Sequence, residues 1–131
     1  MDRIQVMAID DSPVCREVIA LLVGRDTGMD IAASADCAAQ AWTALEDHPI
    51  DVVTLDLQLP DLDGLALLEL LTVKATCGVV VVSADADQHR LALSLGATAC
   101  FEKVHLLHDH KRFLAAIRRA VPHAPRLRMV Y

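Results

Sequence analysis

Short apolar runs alternate along the chain with longer segments in which apolar residues recur at helical spacing. The short runs predict five strands, over residues 4–9, 29–33, 51–55, 79–82 and 99–102. The helical spacing predicts five helices, over residues 13–24, 37–47, 65–71, 87–95 and 109–121. Strict alternation of strand and helix implies a parallel sheet with helices on both faces. Right-handed crossovers restrict such a chain to a few doubly wound α/β folds.

Local signals support several of these boundaries. Ser12 is expected to cap the first helix, with Pro13 at its first position, and Asp36 is expected to cap the second helix. The run Val79–Val82 is apolar on both faces, which is typical of a central strand in a parallel sheet. The buried face of the first helix is predicted to contain Val14, Val18, Leu21 and Leu22.

Composition narrows the class of protein. The 131 residues are 54% hydrophobic and 23% charged, enough for one domain to bury a core without a metal or disulfide. The cysteines, at positions 15, 37, 77 and 100, are widely separated and are predicted to be free thiols. A net charge of −6 argues against non-specific binding to nucleic acid or to an anionic membrane. No apolar run approaches the ~18 residues of a membrane span and no signal-type segment is present, so the chain is expected to be cytoplasmic.

Polar residues follow four of the predicted strands, at the edge of the sheet where ligands bind in such folds. Asp10 and Asp11 follow the first strand, Asp56 the third, Ser83 the fourth and Lys103 the fifth. If the first and third strands are neighbours, three mutually repelling carboxylates converge, and Mg²⁺ would offset their charge. A lysine and a serine suit phosphate oxygens, and an aspartate can itself be a phosphoryl acceptor. The pattern therefore predicts Mg²⁺-dependent phosphoryl transfer.

Four sequence motifs occur in order at these strand ends. They are A-I-D-D-S-P (8–13), D-L-Q-L-P-D-L-D-G (56–64), V-V-S-A (81–84) and G-A-T-A-C-F-E-K (96–103). Over about residues 4–121 the chain resembles the receiver domain of two-component response regulators. The resemblance implies a flavodoxin-like (βα)5 fold with strand order 2-1-3-4-5. It also implies a receiver domain over residues 1–121, followed by a C-terminal tail or the start of a linker over residues 122–131.

The resemblance assigns roles to the polar residues. Asp56 would accept the phosphoryl group from the phosphohistidine of a histidine kinase or a phosphotransfer protein. Asp10, Asp11 and Asp56 would hold Mg²⁺, together with the backbone carbonyl of Gln58. Lys103 would pair with the phosphoryl oxygens.

Other positions match the family's switch and tuning residues. Ser83 would swing toward the phosphoryl group, and the small Ala84 beside it would leave access to that group. Gln58 and Asp85 occupy positions that tune how fast water removes the phosphoryl group.

Two positions depart from the family pattern. Cys100 stands on the fifth strand where receivers often carry Tyr or Phe, so the usual large ring movement is excluded here. Lys103 precedes Val104, whereas the family's lysine is commonly followed by proline through a cis bond. Because a cis bond before a non-proline residue costs about 2.5–4 kcal/mol, the bond between Lys103 and Val104 is predicted to be trans.

A partner surface also follows from the resemblance. It is the face formed by the fourth helix, the fifth strand and the fifth helix, with His89, Arg90, Leu93 and Cys100 as candidate phosphorylation-dependent contacts. An unidentified output protein or domain would bind there. The protein is expected to be a monomer or a phosphorylation-dependent homodimer, with no direct contact to nucleic acid or membrane.

The leading hypothesis is a signalling switch in a phosphorelay, rather than a turnover enzyme. One alternative is a Mg²⁺-dependent aspartyl-phosphate phosphatase of another α/β family, in which a second Asp lies two residues after the nucleophile. This chain has Gln58 there, or Ser12 if Asp10 were the nucleophile, and neither is a general acid. A degenerate receiver that acts only through protein contacts is the other alternative, and the intact polar set argues against it.

Two further features concern the chain's relatives and its extent. The D-V-V-T-L-D segment (51–56) and the D-G-L that follows (63–65) resemble receivers of chemotaxis methylesterases more than those of transcription factors. The segment after the last helix is too short for a DNA-binding domain. A stand-alone receiver and the N-terminal part of a larger regulator both stay open.

Several other polar residues have simpler interpretations. Asp61 and Asp63 are expected to be loop and cap residues rather than calcium ligands, because no glutamate follows at the required distance. His105, His108 and His110 are expected to be solvated, since a loop and a first helical turn provide no fixed ligand geometry.

Overall fold

The sheet is described by a computed structural model that covers residues 2–122. Its strands are β1 (Ile4–Ile9), β2 (Met29–Ala35), β3 (Val52–Leu55), β4 (Gly78–Ser83) and β5 (Ala99–Glu102). All neighbouring strands pair in parallel, in the order β2-β1-β3-β4-β5. The flavodoxin-like doubly wound fold and its strand order are therefore confirmed. The predicted tail, residues 122–131, lies outside the described residues except for Pro122.

Helices cover both faces of this sheet. They are α1 (Pro13–Gly24), α2 (Ala38–Asp47), α3 (Gly64–Leu70), α4 (His89–Ser94) and α5 (His110–Ala120). A π-helical turn, Leu71–Ala75, continues α3, and a 3-10 turn, Lys103–His105, lies between β5 and α5. No helix within residues 2–122 combines the length and apolar character needed to span a membrane.

Two apolar cores form because side chains alternate along each strand. Val80 and Val82 of β4 join α1 and α5 in one core, while Val79 and Val81 join α2, α3 and α4 in the other. Both faces of β4 are thus buried, which confirms it as a central strand. Its place between β3 and β5 puts Ser83, at its carboxyl end, between the ends of those two strands.

The predicted buried face of α1 is partly wrong. The helix buries Ile19, Leu22 and Val23, whereas Val14 and Leu21 are 72% and 60% exposed. Apolar residues occur on nearly every side of this helix, so periodicity alone does not distinguish the face that meets the sheet. Packing against β1, β2 and α5 selects the face.

The predicted cap of α2 is also wrong. Its N-cap residue is Cys37, which makes no side-chain cap bond, and Asp36 does not cap the helix. Instead the Asp61 carboxylate accepts hydrogen bonds from the backbone N–H groups of Ala38 and Ala39, at 2.9 and 3.0 Å. These bonds lower the pKa of Asp61. A residue from the loop after β3 thus caps a helix that precedes β3.

Other local predictions are confirmed. Ser12 accepts a hydrogen bond from the Cys15 backbone N–H at 3.2 Å and caps α1, and Asp63 caps α3 through the Leu65 backbone N–H at 3.2 Å. The cysteines at positions 15, 37, 77 and 100 are free thiols. Residues 2–122 contain no cis peptide bond, so the bond between Lys103 and Val104 is trans, as predicted.

Candidate functional site

Three carboxylates meet at the carboxyl edge of the central strands. Asp10 and Asp11 follow β1 and Asp56 follows β3, and β1 and β3 are neighbours in the sheet. One ligand oxygen from each carboxylate lies within 4.8 Å of the others. Asp10 and Asp56 are buried, at 1% and 3% exposure, while Asp11 is exposed. The predicted convergence of the three carboxylates is therefore confirmed by the geometry.

Lys103 joins this acidic cluster from the end of β5. Its Nζ donates to Asp10 Oδ1 at 3.0 Å and to Asp56 Oδ2 at 3.1 Å. The lysine side chain is 23% exposed, so the ammonium group lies between the buried carboxylates and solvent. A single cation thus bridges residues that are 93 and 47 positions away in the sequence.

The site raises the pKa values of both Asp56 and Lys103, for different physical reasons. Loss of hydration raises the pKa of Asp56, and the negative charge of Asp10 raises it further. The Gln58 backbone N–H and Lys103 lower it, but they do not compensate fully. Burial works against the charge of Lys103, yet its hydrogen bonds to the two carboxylates outweigh burial and raise its pKa. The lysine is therefore firmly cationic, whereas the Asp56 carboxylate is unusually basic.

Backbone groups orient the two buried carboxylates. The Ser12 backbone N–H donates to Asp10 Oδ1 at 2.9 Å, and the Gln58 backbone N–H donates to Asp56 Oδ1 at 3.1 Å. Each carboxylate therefore accepts from the residue two positions later, an Asx-type turn that begins where the strand ends. The Arg16 guanidinium also donates to the Asp10 backbone carbonyl, at 2.5 Å. Both side chains are held before any ligand binds.

The donor set of the acidic cluster suits a small divalent cation. Asp10 Oδ2 is buried and makes no hydrogen bond within residues 2–122, although it lies 3.0 Å from Lys103 Nζ. Together with oxygens of Asp11 and Asp56 it offers hard carboxylate ligands, and the exposed Asp11 leaves one side open to water. Mg²⁺ binds through one or two carboxylates and retains several waters, so the residues present fit this ion.

Ser83 lies at the end of β4 and is 4% exposed. Its Oγ donates to the Asp85 backbone carbonyl at 2.7 Å and lies 2.6 Å from His89 Nε2. Among residues 2–122 these are its side-chain partners, and neither Asp56 nor Lys103 is one of them. Ala84 and Asp85 are exposed in the loop that follows. The structure thus brings Ser83 to the sheet edge while its hydroxyl is hydrogen-bonded toward α4.

Cys100 lies on β5 beside Val81 of β4 and is half-buried. Its Sγ donates to the His89 backbone carbonyl at 3.6 Å, and burial raises the pKa of its thiol to about 11. His89 therefore contacts both Ser83 and Cys100. From the sequence, His89 is predicted only as a surface contact for a partner, because no local pattern relates it to the serine.

A second residue that sequence analysis did not assign to the site is Cys15. Burial, and after it an interaction with the Asp10 carboxylate, raise the pKa of its thiol to about 12. The thiol is therefore protonated and a poor nucleophile. Its position in the first turn of α1, close to Asp10, is visible only once the helix is placed.

His105, His108 and His110, which lie before and at the start of α5, are not part of the acidic cluster. His105 and His108 are exposed, and His110 Nδ1 lies 2.9 Å from the Leu107 backbone carbonyl. Within residues 2–122, the acidic cluster is the one group of three or more His, Cys, Asp or Glu side chains close enough to share a metal ion.

An Asp56→Asn variant is expected to be more stable than the wild type in a chelator at pH 7.5. The amide removes a poorly hydrated negative charge beside Asp10, and we expect a gain of about 1 kcal/mol, or ~3–5 °C in Tm. Folding raises the pKa of Asp56, so the native state holds this proton more tightly than the unfolded chain. Wild-type stability is therefore lost as pH rises through the raised pKa, and the gain shrinks toward pH 4.

Thermal unfolding of both proteins at the two pH values measures this difference. Asp63→Asn is the matched control, because asparagine also caps helices and Asp63 lies on the exposed surface outside the acidic cluster. A lower Tm for Asp56→Asn in chelator at pH 7.5 would contradict electrostatic repulsion within the cluster.

Comparison with known proteins places this geometry in a family. The family model of the response regulator receiver domain matches residues 6–119. Similar curated proteins include protein-glutamate methylesterase/protein-glutamine glutaminase 2 of Koribacter versatilis, 35% identical over 98 residues, and the corresponding protein 1 of Rhodospirillum rubrum, 36% identical over 105 residues. These matches cover 72% and 76% of this chain but 27% of each relative. The chain thus spans about a quarter of the length of these relatives.

Solved structures show the same architecture. The response regulator domain of Thermotoga maritima CheB has a TM-score of 0.83 and 26% identity, covering 94% of this chain and 99% of that one. A chain in the crystal structure of the P1 domain of CheA3 in complex with CheY6 from R. sphaeroides has a TM-score of 0.76 and 23% identity. That match covers 92% of this chain and 100% of the other, and it shows a shared fold.

Proposed function

This chain belongs to the response regulator receiver domain family of two-component signalling, and from that premise we propose that Asp56 is its phosphoryl acceptor. One observation carries the proposal. The Asp56 carboxylate is buried beside Asp10 and Asp11, with the Lys103 ammonium 3.1 Å from its Oδ2. An acceptor with raised basicity thus lies next to a fixed cation and a set of hard oxygen ligands.

The chemistry follows from these positions. An Asp56 carboxylate oxygen attacks phosphorus of a phosphohistidine, so that an O–P bond forms and the P–N bond breaks. The electron pair of the broken bond returns to the imidazole, which takes up a proton. Lys103, already paired with Asp10 and Asp56, remains beside Asp10 and provides a positive charge for the incoming phosphoryl oxygens. Mg²⁺, held by Asp10, Asp11, Asp56 and the Gln58 carbonyl, would neutralise negative charge on both reactants.

The response is a change in protein contacts rather than turnover of a substrate. Ser83 is the residue that would report the phosphoryl group, with Ala84 beside it, and Gln58 and Asp85 would tune hydrolysis. Gln58 and Asp85 are both exposed, so each has access to attacking water. Since the chain spans about a quarter of its methylesterase relatives, any methylesterase activity would belong to a longer protein.

We infer that the output surface lies on α4, β5 and α5. Leu91 and Leu93 of α4 are 49% and 48% exposed, and Val104 and Leu107, between β5 and α5, are 76% and 63% exposed. His89, Arg90 and Cys100 lie in the same region, on α4 and β5. An output protein or domain, or a second copy of the chain, would bind these residues after phosphorylation. The phosphodonor would be a histidine kinase or a phosphotransfer protein, in a cytoplasmic setting.

Intact mass after incubation with acetyl phosphate and Mg²⁺ tests the proposal. We expect a gain of about 80 Da, one phosphoryl group, in the wild type and in the control Asp63→Asn. Asp56→Asn should show no gain, and a chelator should abolish the gain in every protein. If the wild type neither gains mass nor binds beryllofluoride with Mg²⁺, the proposal is wrong. Steady turnover of a generic phosphomonoester would instead support the phosphatase alternative.

A further inference from the structure

A hydrogen bond connects the end of β4 to the first residue of α4. Ser83 Oγ lies 2.6 Å from His89 Nε2, and both groups are shielded, with Ser83 buried and His89 half-buried. The bond is short for a contact between neutral groups. It spans the loop through Asp85, which is otherwise exposed.

The single hydroxyl proton of Ser83 determines the direction of this bond. A serine hydroxyl has one proton, and the Asp85 backbone carbonyl, 2.7 Å from Oγ, is an acceptor only. Ser83 must therefore donate to Asp85, which leaves a lone pair of Oγ to accept from His89. The imidazole consequently carries its proton on Nε2 and donates to the serine.

His89 has a second contact, through its backbone carbonyl. Its carbonyl accepts from Cys100 Sγ at 3.6 Å, so one residue joins the end of β4, the start of α4 and the middle of β5. Any rotation of the Ser83 side chain toward the acidic cluster breaks its bonds to Asp85 and His89. Breaking them releases the side chain that anchors the first turn of α4.

We propose that His89 is a positioning residue that holds the Ser83 hydroxyl away from the phosphoryl site, and that this bond is released when Asp56 is phosphorylated. This inference rests on the proposed function, because it gives Ser83 a phosphoryl group to contact. The bond stabilises the unphosphorylated conformation and thereby weakens the binding of a phosphoryl analogue at Asp56. It also transmits the movement of Ser83 to α4, and through the His89 carbonyl to Cys100.

Binding of beryllofluoride with Mg²⁺, followed by ¹⁹F NMR, measures this effect. Beryllofluoride stands in for the phosphoryl group on Asp56. We expect His89→Ala to bind about fivefold more tightly than the wild type, the value of one net hydrogen bond. His89→Gln, whose amide N–H can still donate to Ser83, should stay close to the wild type. The matched control His108→Ala, an exposed histidine outside this network, should also be unchanged.

The serine variant separates positioning from general destabilisation. In a Ser83→Ala background, His89→Ala should have no further effect on beryllofluoride affinity, because the bond that it removes is already absent. Equal effects of His89→Ala with and without the serine hydroxyl would overturn the inference. So would an unchanged affinity in His89→Ala while the wild type still binds.

A measurement that needs no phosphoryl analogue distinguishes this inference from the proposed function. The ¹⁵N spectrum of the His89 imidazole should show the proton on Nε2 in the wild type and a shifted Nε2 resonance in Ser83→Ala. A proton on Nδ1 alone, or an Nε2 resonance that is the same in the wild type and in Ser83→Ala, would overturn the inference. Absence of both the Asp56-dependent mass gain and beryllofluoride binding, with the Nε2 result intact, would overturn the proposed function and leave the hydrogen bond established.

Discussion

A Lys103→Met variant is expected to lose about 3 kcal/mol of stability in a chelator at pH 7.5, which corresponds to ~10 °C in Tm. The wild-type ammonium lies 3.0 Å from Asp10 and 3.1 Å from Asp56, and both carboxylates are almost fully buried. Removing the lysine leaves both buried carboxylates without the ion pair that they share. This cost greatly exceeds that of losing an ion pair at the surface.

Thermal unfolding of Lys103→Met tests this expectation against Lys111→Met, which removes an exposed lysine of α5. The control should change Tm by no more than about 1 °C, in keeping with a surface site. The deficit of Lys103→Met should shrink at pH 5, because the unbalanced carboxylates take up protons, and it should also shrink when Mg²⁺ is added. A deficit that is the same at both pH values and unaffected by Mg²⁺ would indicate lost packing rather than unbalanced charge.

A Gly78→Ala variant is expected to be destabilised by about 3 kcal/mol. A Cβ at residue 78 would lie 1.9 Å from the Ala120 carbonyl oxygen and 2.7 Å from its carbon, so β4 and α5 must separate. The obstacle is backbone, which cannot rotate aside as a side chain does. The Gly78 N–H also donates to the Asp51 carbonyl at 3.0 Å, which limits any movement of the strand.

Chemical denaturation of Gly78→Ala and of the control Gly24→Ala measures this cost. A Cβ at Gly24, the last residue of α1, has no atom within 4 Å, so that variant should be unchanged or more stable by up to about 1 kcal/mol. Because Gly78 and Ser83 are the two ends of β4, Gly78→Ala should also bind beryllofluoride less tightly than the wild type. Stability equal to that of Gly24→Ala would contradict the close approach of β4 and α5.

Much of the phosphoryl site is predictable because its residues are marked by local patterns. Asp10, Asp56, Ser83 and Lys103 each follow an apolar run, and the carboxyl ends of parallel strands lie at one edge of the sheet. A strand order that makes β1 and β3 neighbours then brings the carboxylates together. The resemblance to receivers supplied that order, which the alternation of elements leaves among a few possibilities.

Contacts between separate segments cannot be predicted from such local patterns. Asp36 satisfies the local rule for a helix cap, yet Asp61 caps α2 from a loop 23 residues further along the chain. The sequence of α1 is apolar on several sides, so only its neighbours determine that Ile19 is buried and Val14 exposed. In both cases, more than one arrangement satisfies the local preference, and packing chooses between them.

The alternating elements, the parallel sheet and the polar residues at the strand ends can be predicted from the sequence, because periodicity and strand termini are local properties of the chain. The bridge of Lys103 between Asp10 and Asp56, and the hydrogen bond between His89 and Ser83, come from the packing of separate elements. Those hydrogen bonds depend on distances and angles between side chains from different elements. Such geometry is established when crossovers, helix packing and burial act together, and no spacing along the chain encodes it.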